Sequence, residues 1–214
     1  MKIAVVSASL GGMDASPVHD VQTISYDNFY FTDENFPLRD KVMIPRLQAK
    51  IPKMFGWQLV PDYDYYLWLD GNIRLNRPDV LEYFYNEIQG HDIVVLKHHR
   101  RNTIKWETRY MERALNEQST YIVSRYGGEF WKEQKKEFEN YKDDRLYIGG
   151  IFMYRNIPKI HEAMKEWWYQ VSRYCVQDQI SFPYAFRDVR VKVLDHDYRK
   201  WEMIKMERHN KRNE

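Results

Sequence analysis

The sequence predicts an α/β fold, a mostly parallel central sheet flanked by helices, and three observations carry that expectation. The runs Lys2–Val6, Tyr65–Leu69 and Asp92–Leu96 are short and apolar almost throughout, as strands covered on both faces are. Between and after them, apolar residues recur at helical spacing: Val80, Leu81, Phe84 and Ile88 in one segment, Ile160, Met164, Trp167, Trp168 and Val171 in another. At 214 residues the chain fits one domain, on the prior of about 100 to 200 residues per domain, and is long enough to bury a sizeable core. The domain is expected to span 1–198, with the charged stretch 199–214 as a tail or exposed helix.

Composition narrows the function. The net charge of +2, from 33 basic and 31 acidic side chains, gives no general attraction to nucleic acid or anionic membranes, so any polyanion site has to be local. Cys175 is the only cysteine, which excludes an internal disulfide and a cysteine-based zinc site and fits a reducing, cytoplasmic setting. The apolar run after Met1 is shorter than a signal-peptide core and reads as a first strand, and no stretch approaches the roughly 20 apolar residues of a membrane span.

Taken in order, Lys2–Val6 is a strand and Ser7–Met13 a small-residue loop leaving its carboxyl end, placing Ser7, Ala8 and Ser9 where a nucleotide can meet the backbone. Neither a Gly-x-Gly-x-x-Gly fingerprint nor a Gly-Lys-Ser/Thr phosphate loop is present, so dehydrogenase and P-loop readings drop. Val21–Phe31 reads as a second strand interrupted at Asp27-Asn28, followed by Thr32-Asp33, by spacing an ordinary turn. Arg39–Phe55 is helical in tone, divided by Pro45 and Pro52. Within it, Arg46 and Lys50 lie four apart, on one face, as a phosphate contact or a solvated basic face. Lys53 lies beyond Pro52, and its direction is open.

Tyr65–Leu69 then breaks at Asp70-Gly71-Asn72. Gly71 allows unusual backbone angles, so Asp70 and Asn72 can both face outward at the carboxyl end of the strand, where open α/β sheets bind ligands. An acid and an amide there can hold a metal-bound diphosphate; by themselves the three residues read first as a turn. A helix from Pro78 stops at Gly90, and Asp92–Leu96 delivers Lys97 to Arg101 to the same edge if the sheet is parallel there. Tyr126–Tyr141 has the composition of a solvated helix. Gly149-Gly150 precede the buried strand Ile151–Tyr154, Pro158–Tyr174 is a helix, and Val189–Leu194 is a last strand before Asp195-His196-Asp197. No internal repeat or low-complexity linker occurs.

Two blocks carry a family resemblance. Pro61-Asp62-Tyr63-Asp64-Tyr65-Tyr66-Leu67-Trp68-Leu69-Asp70-Gly71-Asn72 resembles the signature of the glycosyltransferase-like family of plant mucilage-related and turgor-regulation proteins. Asp178-Gln179-Ile180-Ser181-Phe182-Pro183-Tyr184 resembles that family's later Arg-Asp-Gln-Leu-Ser-Phe-Pro-Tyr block, in the expected order, and the likeness spans about Lys2 to Asp188. It implies a nucleotide-diphospho-sugar transferase (GT-A) fold, Rossmann-related, and transfer of a sugar from a nucleotide-sugar donor to a carbohydrate or glycoconjugate acceptor. It further implies that Phe31-Thr32-Asp33 meets the nucleoside, that Gly149, Gly150 and Gln179 belong to the donor site, and that His98 and Arg101, in the loop leading to an acidic helix, contact sugar or acceptor. Asp-Gly-Asn stands where this fold usually has Asp-x-Asp, and many relatives of the fold place a late histidine on the metal, which here suggests His196.

The chemistry agrees. Breaking the bond to a diphosphate develops negative charge on phosphate oxygens, which a divalent cation stabilises. Asp70, Asn72 and His196 are the candidate ligands for Mn2+ or Mg2+, and the neutral amide of Asn72 should leave more of the charge to Arg46 and Lys50. On the acceptor side, Asp178 is the first candidate for activating or positioning the hydroxyl, with helix capping as its structural alternative, and Glu107 the second. Two other classes remain open: a non-catalytic nucleotide-sugar or carbohydrate binding protein with the same fold, and a nucleic-acid module resting on His98 to Arg101 alone.

Overall fold

A computed structural model describes residues 1–117, 130–143 and 145–209. Six strands form one sheet in the order β2-β1-β3-β6-β5-β7: β1 (Ile3–Ala8), β2 (Asp27–Phe31), β3 (Tyr65–Asp70), β5 (Ile93–Lys97), β6 (Tyr147–Arg155) and β7 (Val191–Leu194). Only β6 is antiparallel to its neighbours, β3 and β5. This is the expected class, and the reason is visible in burial. All six residues of β1 and the first five of β3 are buried, as central strands covered by helices must be. β2 is an edge strand and begins only at Asp27, so the polar pair Asp27-Asn28 starts it rather than interrupting a longer one.

Helices cover both faces. On one, α2 (Lys50–Leu59) and α6 (Pro158–Arg173) set Met54, Ile160, Met164, Trp167 and Val171 against Val6, Tyr66, Trp68, Val95 and Phe152. On the other, α3 (Val80–Glu87) packs Val80, Leu81 and Phe84 onto Val5, Leu67, Leu69 and Val94. A third cluster lies beside the sheet, where α4 (Ile104–Asn116) and α5 (Phe130–Glu137) enclose Tyr174, Cys175 and Ile180. The expected helix over Tyr126–Tyr141 is helical over Phe130–Glu137, and its first residues lie outside the described ones. Among the described residues, no helix is long and apolar enough to cross a membrane.

The expected helix from Arg39 starts at Pro45, which occupies the first turn of α1 (Pro45–Gln48), where its missing N–H costs nothing. Pro52 cannot donate to the Gln48 carbonyl, and the chain breaks at Ala49 before α2. After the Asp70-Gly71-Asn72 turn the chain forms β4 (Ile73–Leu75), which pairs antiparallel with β8 (Ile204–Met206). Where a tail or exposed helix was expected after 198, Ile204 is buried in the α3-side core and ties this segment to the turn, and 210–214 lie outside the described residues.

Gly71 is needed for closeness rather than for an unusual φ: a Cβ there would lie 2.6 Å from the Ala8 carbonyl oxygen and 3.0 Å from the Ser9 Cβ. Gly71→Ala is therefore expected to destabilise the protein by about 1 to 3 kcal/mol, the range for overpacking, read as a lowered urea midpoint. An unchanged midpoint would show that the turn can move away from β1.

Candidate active site

Because β3 and β5 are each antiparallel to β6, the carboxyl ends of β1, β3 and β5 and the beginning of β6 share one edge of the sheet. A cleft of about 580 Å³ opens there. Its floor is Asp70-Gly71-Asn72 from the end of β3 and Gly149-Gly150 from β6; Ala8, Ser9 and Gly11 from the loop after β1, Arg46 and Lys50 from the helices, and Gln177, Asp178 and Gln179 complete it.

Four charged side chains connect the two sides of this floor. Asp178, at the head of the 3-10 turn Asp178–Ile180, accepts from Lys50 Nζ at 2.6 Å and Lys53 Nζ at 2.5 Å, both on its Oδ2. Lys53 Nζ also lies 3.6 Å from Asp70 Oδ1, so one ammonium group touches both carboxylates. Lys53 is only 1% exposed and lies between the indole rings of Trp68 and Trp167, 5.6 and 5.4 Å from their centroids. Trp68 Nε1 donates to Asp70 Oδ1 at 2.9 Å, and Trp167 Nε1 to the Asp178 carbonyl at 2.9 Å.

Glycines make room for this arrangement. A Cβ on Gly149 would sit 3.0 Å from both Asp178 Oδ1 and Lys53 Nζ, and one on Gly150 3.2 Å from Asp70 Oδ2. The glycines lie inside β6, not ahead of it, where its register on β5 jumps from Val95↔Phe152 to Leu96↔Ile148. Burial works against the Asp178 charge, but Lys50 and Lys53 outweigh it and hold the carboxyl well below the ordinary range. For Lys53, burial is likewise outweighed, here by Asp178 and Asp70, and its pKa is raised. For Lys50, burial wins over Asp178 and the pKa is lowered.

This geometry changes several expectations. Asp178, expected on the acceptor side, is joined to Asp70 of the donor side through Lys53. It caps no helix, since its side chain makes no capping bond, and a carboxylate held ionised by two lysines is a weak proton acceptor near pH 7. Glu107 is 1% exposed, pairs with Arg101 and accepts from Gln177 Nε2 at 3.1 Å, so it braces Gln177 from behind the cleft. His98 faces inward, with Nδ1 accepting from the backbone N–H groups of Arg100 and Arg101; burial, then Arg101, push its pKa down to about 3, which keeps it neutral. Neither His98 nor Arg101 lines the cleft.

On the nucleoside side, Ala8 and Ser9 reach the cleft, whereas Ser7 is buried inside β1. Asp33 accepts from the Gly11 N–H at 2.8 Å and so shapes the loop, while Thr32 accepts from Glu34 N–H; neither lines the cleft. Asn72 is 5% exposed beneath the C-terminal segment, its Nδ2 donating to the Glu207 carbonyl at 3.1 Å. His196 stacks on Trp201 and bonds the Tyr83 hydroxyl, away from Asp70. The histidine that lines the cleft is His209, 2.5 Å from Asp14. Lys53 and His209 were missed: the first stands behind a proline, the second in a stretch that reads as charged tail.

A divalent cation fits this floor in part. Asp70 is 46% exposed, but no three His, Cys, Asp or Glu side chains gather to hold a metal among the described residues. Lys50 and Lys53 balance Asp70 and Asp178, so these four leave a diphosphate almost uncompensated. One carboxylate plus substrate phosphates is an ordinary way for Mg2+ to be held.

The family model described as TOD1/MUCI70, glycosyltransferase-like domain, matches residues 34–212. No curated protein matches the chain. Among solved structures, a glycosyltransferase involved in glycosylation of the major capsid of PBCV-1 aligns at 12% identity with a TM-score of 0.48, over 90% of this chain and 82% of that one. A197 from STIV aligns at 12% identity and TM-score 0.37, over 91% and 82%. Mouse xyloside xylosyltransferase 1 in its apo form aligns at 13% identity and TM-score 0.40, over 79% of this chain and 63% of its own.

Proposed function

Because the chain belongs to the TOD1/MUCI70 glycosyltransferase-like domain family, we propose that its cleft binds a nucleotide-sugar donor and transfers the sugar to a hydroxyl of a carbohydrate or glycoconjugate acceptor. The observation that carries this reading is the floor itself: an acid turn at the end of β3 and a glycine pair at the start of β6, with cationic side chains over them, at the sheet edge where α/β folds bind nucleotides. The nucleoside lies along Ala8, Ser9 and Gly11, the diphosphate over Gly71 and Gly149-Gly150, and Arg46 and Lys50 receive its charge.

Mn2+ or Mg2+ would be held by Asp70 together with phosphate oxygens of the donor, while Asn72, whose backbone carbonyl accepts from the Glu207 N–H at 2.8 Å and whose Nδ2 donates to the Glu207 carbonyl, would anchor the turn beneath them. Bound there, the ion supplies positive charge for the departing diphosphate. Gln177 and Gln179, linked by a 3.0 Å hydrogen bond and backed by Glu107, form the polar wall that orients the incoming hydroxyl.

A thermal-shift panel of nucleoside diphosphates and nucleotide sugars, each with Mn2+ and with chelator, tests this. A ligand at about 100 times its Kd adds about 2.7 kcal/mol, a rise in Tm of about 5 to 10 °C for a chain of this size. A panel without any shift would remove the donor-site reading; a shift with sugars alone would favour a carbohydrate-binding role instead.

A further inference from the structure

Two ammonium groups sit on one carboxylate oxygen. Lys50 Nζ and Lys53 Nζ approach Asp178 Oδ2 at 2.6 and 2.5 Å, although a single carboxylate balances only one of them. They are not equivalent. Lys53 is fixed: it is 1% exposed, has Asp70 as a second carboxylate and lies between two indole rings. Lys50 is 17% exposed, lines the cleft, and has Asp178 as its one ion-pair partner among the described residues. Its position is also electrostatically crowded, since burial and Lys53 both act against its charge. A lysine is a compact charge on a flexible four-carbon stem, so its head can change partners while helix α2 stays in place.

We infer that Lys50 is an exchangeable cation, kept on Asp178 while the cleft lacks a donor and released to the diphosphate when one binds, with Lys53 remaining to hold Asp178. This rests on the donor-site reading and adds to it a role for Asp178. The aspartate competes with phosphate for Lys50, so its charge lowers donor affinity, while keeping a buried cluster neutral in the empty protein. An apparent Kd is weakened by the fraction of molecules in which the binding group is engaged elsewhere.

The test is titration calorimetry of uridine, guanosine, adenosine and cytidine diphosphates at fixed Mg2+, on wild type, Lys50→Gln and Asp178→Asn. For the diphosphate that binds wild type, Lys50→Gln is expected to weaken Kd about 10- to 100-fold, the loss of a charge-assisted bond. Asp178→Asn is expected to tighten it about three- to tenfold. Removal of a negative charge lining the cleft would by itself favour a diphosphate, so Asp178→Asn combined with Lys53→Met, which keeps the charge count of the floor, is measured alongside it, and the same tightening is expected; an aspartate with no hold on Lys50 would give none there. Weaker binding by the folded aspartate variant, or a Kd within twofold of wild type, overturns the exchange while leaving the donor site standing. Failure of wild type to bind any of the four diphosphates or their nucleotide sugars overturns both.

Discussion

Asp70→Asn is expected to lower kcat/KM for sugar transfer about 100- to 1000-fold, the usual loss when one preorganised group facing developing charge is removed. The substitution keeps an oxygen for Trp68 Nε1, which now donates to Asp70 Oδ1, and removes only the charge. Because the side chain is 46% exposed and Lys53 keeps its closer partner Asp178, folding should change little, which separates this loss from a general defect. Two measurements decide it: transfer or hydrolysis with a nucleotide sugar, and nucleoside diphosphate affinity with and without Mn2+. If the variant kept the full manganese dependence of wild type, Asp70 would not be the anchor of the cation or the diphosphate.

Lys53→Met is expected to cost about 3 kcal/mol of stability, since removing one partner of a buried ion pair leaves the other charge uncompensated. Lys50 stays on Asp178 and keeps the figure at the lower end of that range. The pH dependence identifies the cause. Asp178 has a depressed folded pKa, so its contribution is present above its unfolded value of about 3.9 and is lost as pH falls through the folded one. Lys53 has a raised folded pKa, so its contribution is present below about 10.4 and is lost as pH rises past its folded value. Urea unfolding of both proteins should therefore show a constant difference from about pH 5 to 9, shrinking in strong acid. A difference that persisted unchanged below Asp178's transition would point to packing against the two tryptophans instead.

The sheet was legible because its strands are buried on both faces, which writes them as unbroken apolar runs, and Asp70 was legible because it ends one of them. What failed to show has physical reasons. β8 is three residues long with one buried side chain, too short to stand out from charged neighbours. The direction of Lys53 depended on whether α2 continued through Pro52, and it does, because a proline within the first turn gives up no intrahelical bond. His98 sits in a basic run that looks solvated, yet the backbone turns it inward to accept two N–H groups. His196 and His209 are thirteen positions apart, and only tertiary pairing of β8 with β4 decides which reaches the cleft.

Asp178 meets Lys50 and Lys53 across 128 and 125 positions of sequence. Contacts that distant form late, after the loop-closure entropy has been met by other interactions. Until α6 and the 3-10 turn dock, α2 brings two like charges against an apolar sheet with only Asp70 to answer them. The last third of the chain thus delivers the second carboxylate that these two lysines share in the finished fold. Nucleotide binding would then serve as a reporter of complete folding, appearing in kinetic experiments with the slowest phase rather than with the collapse of the sheet.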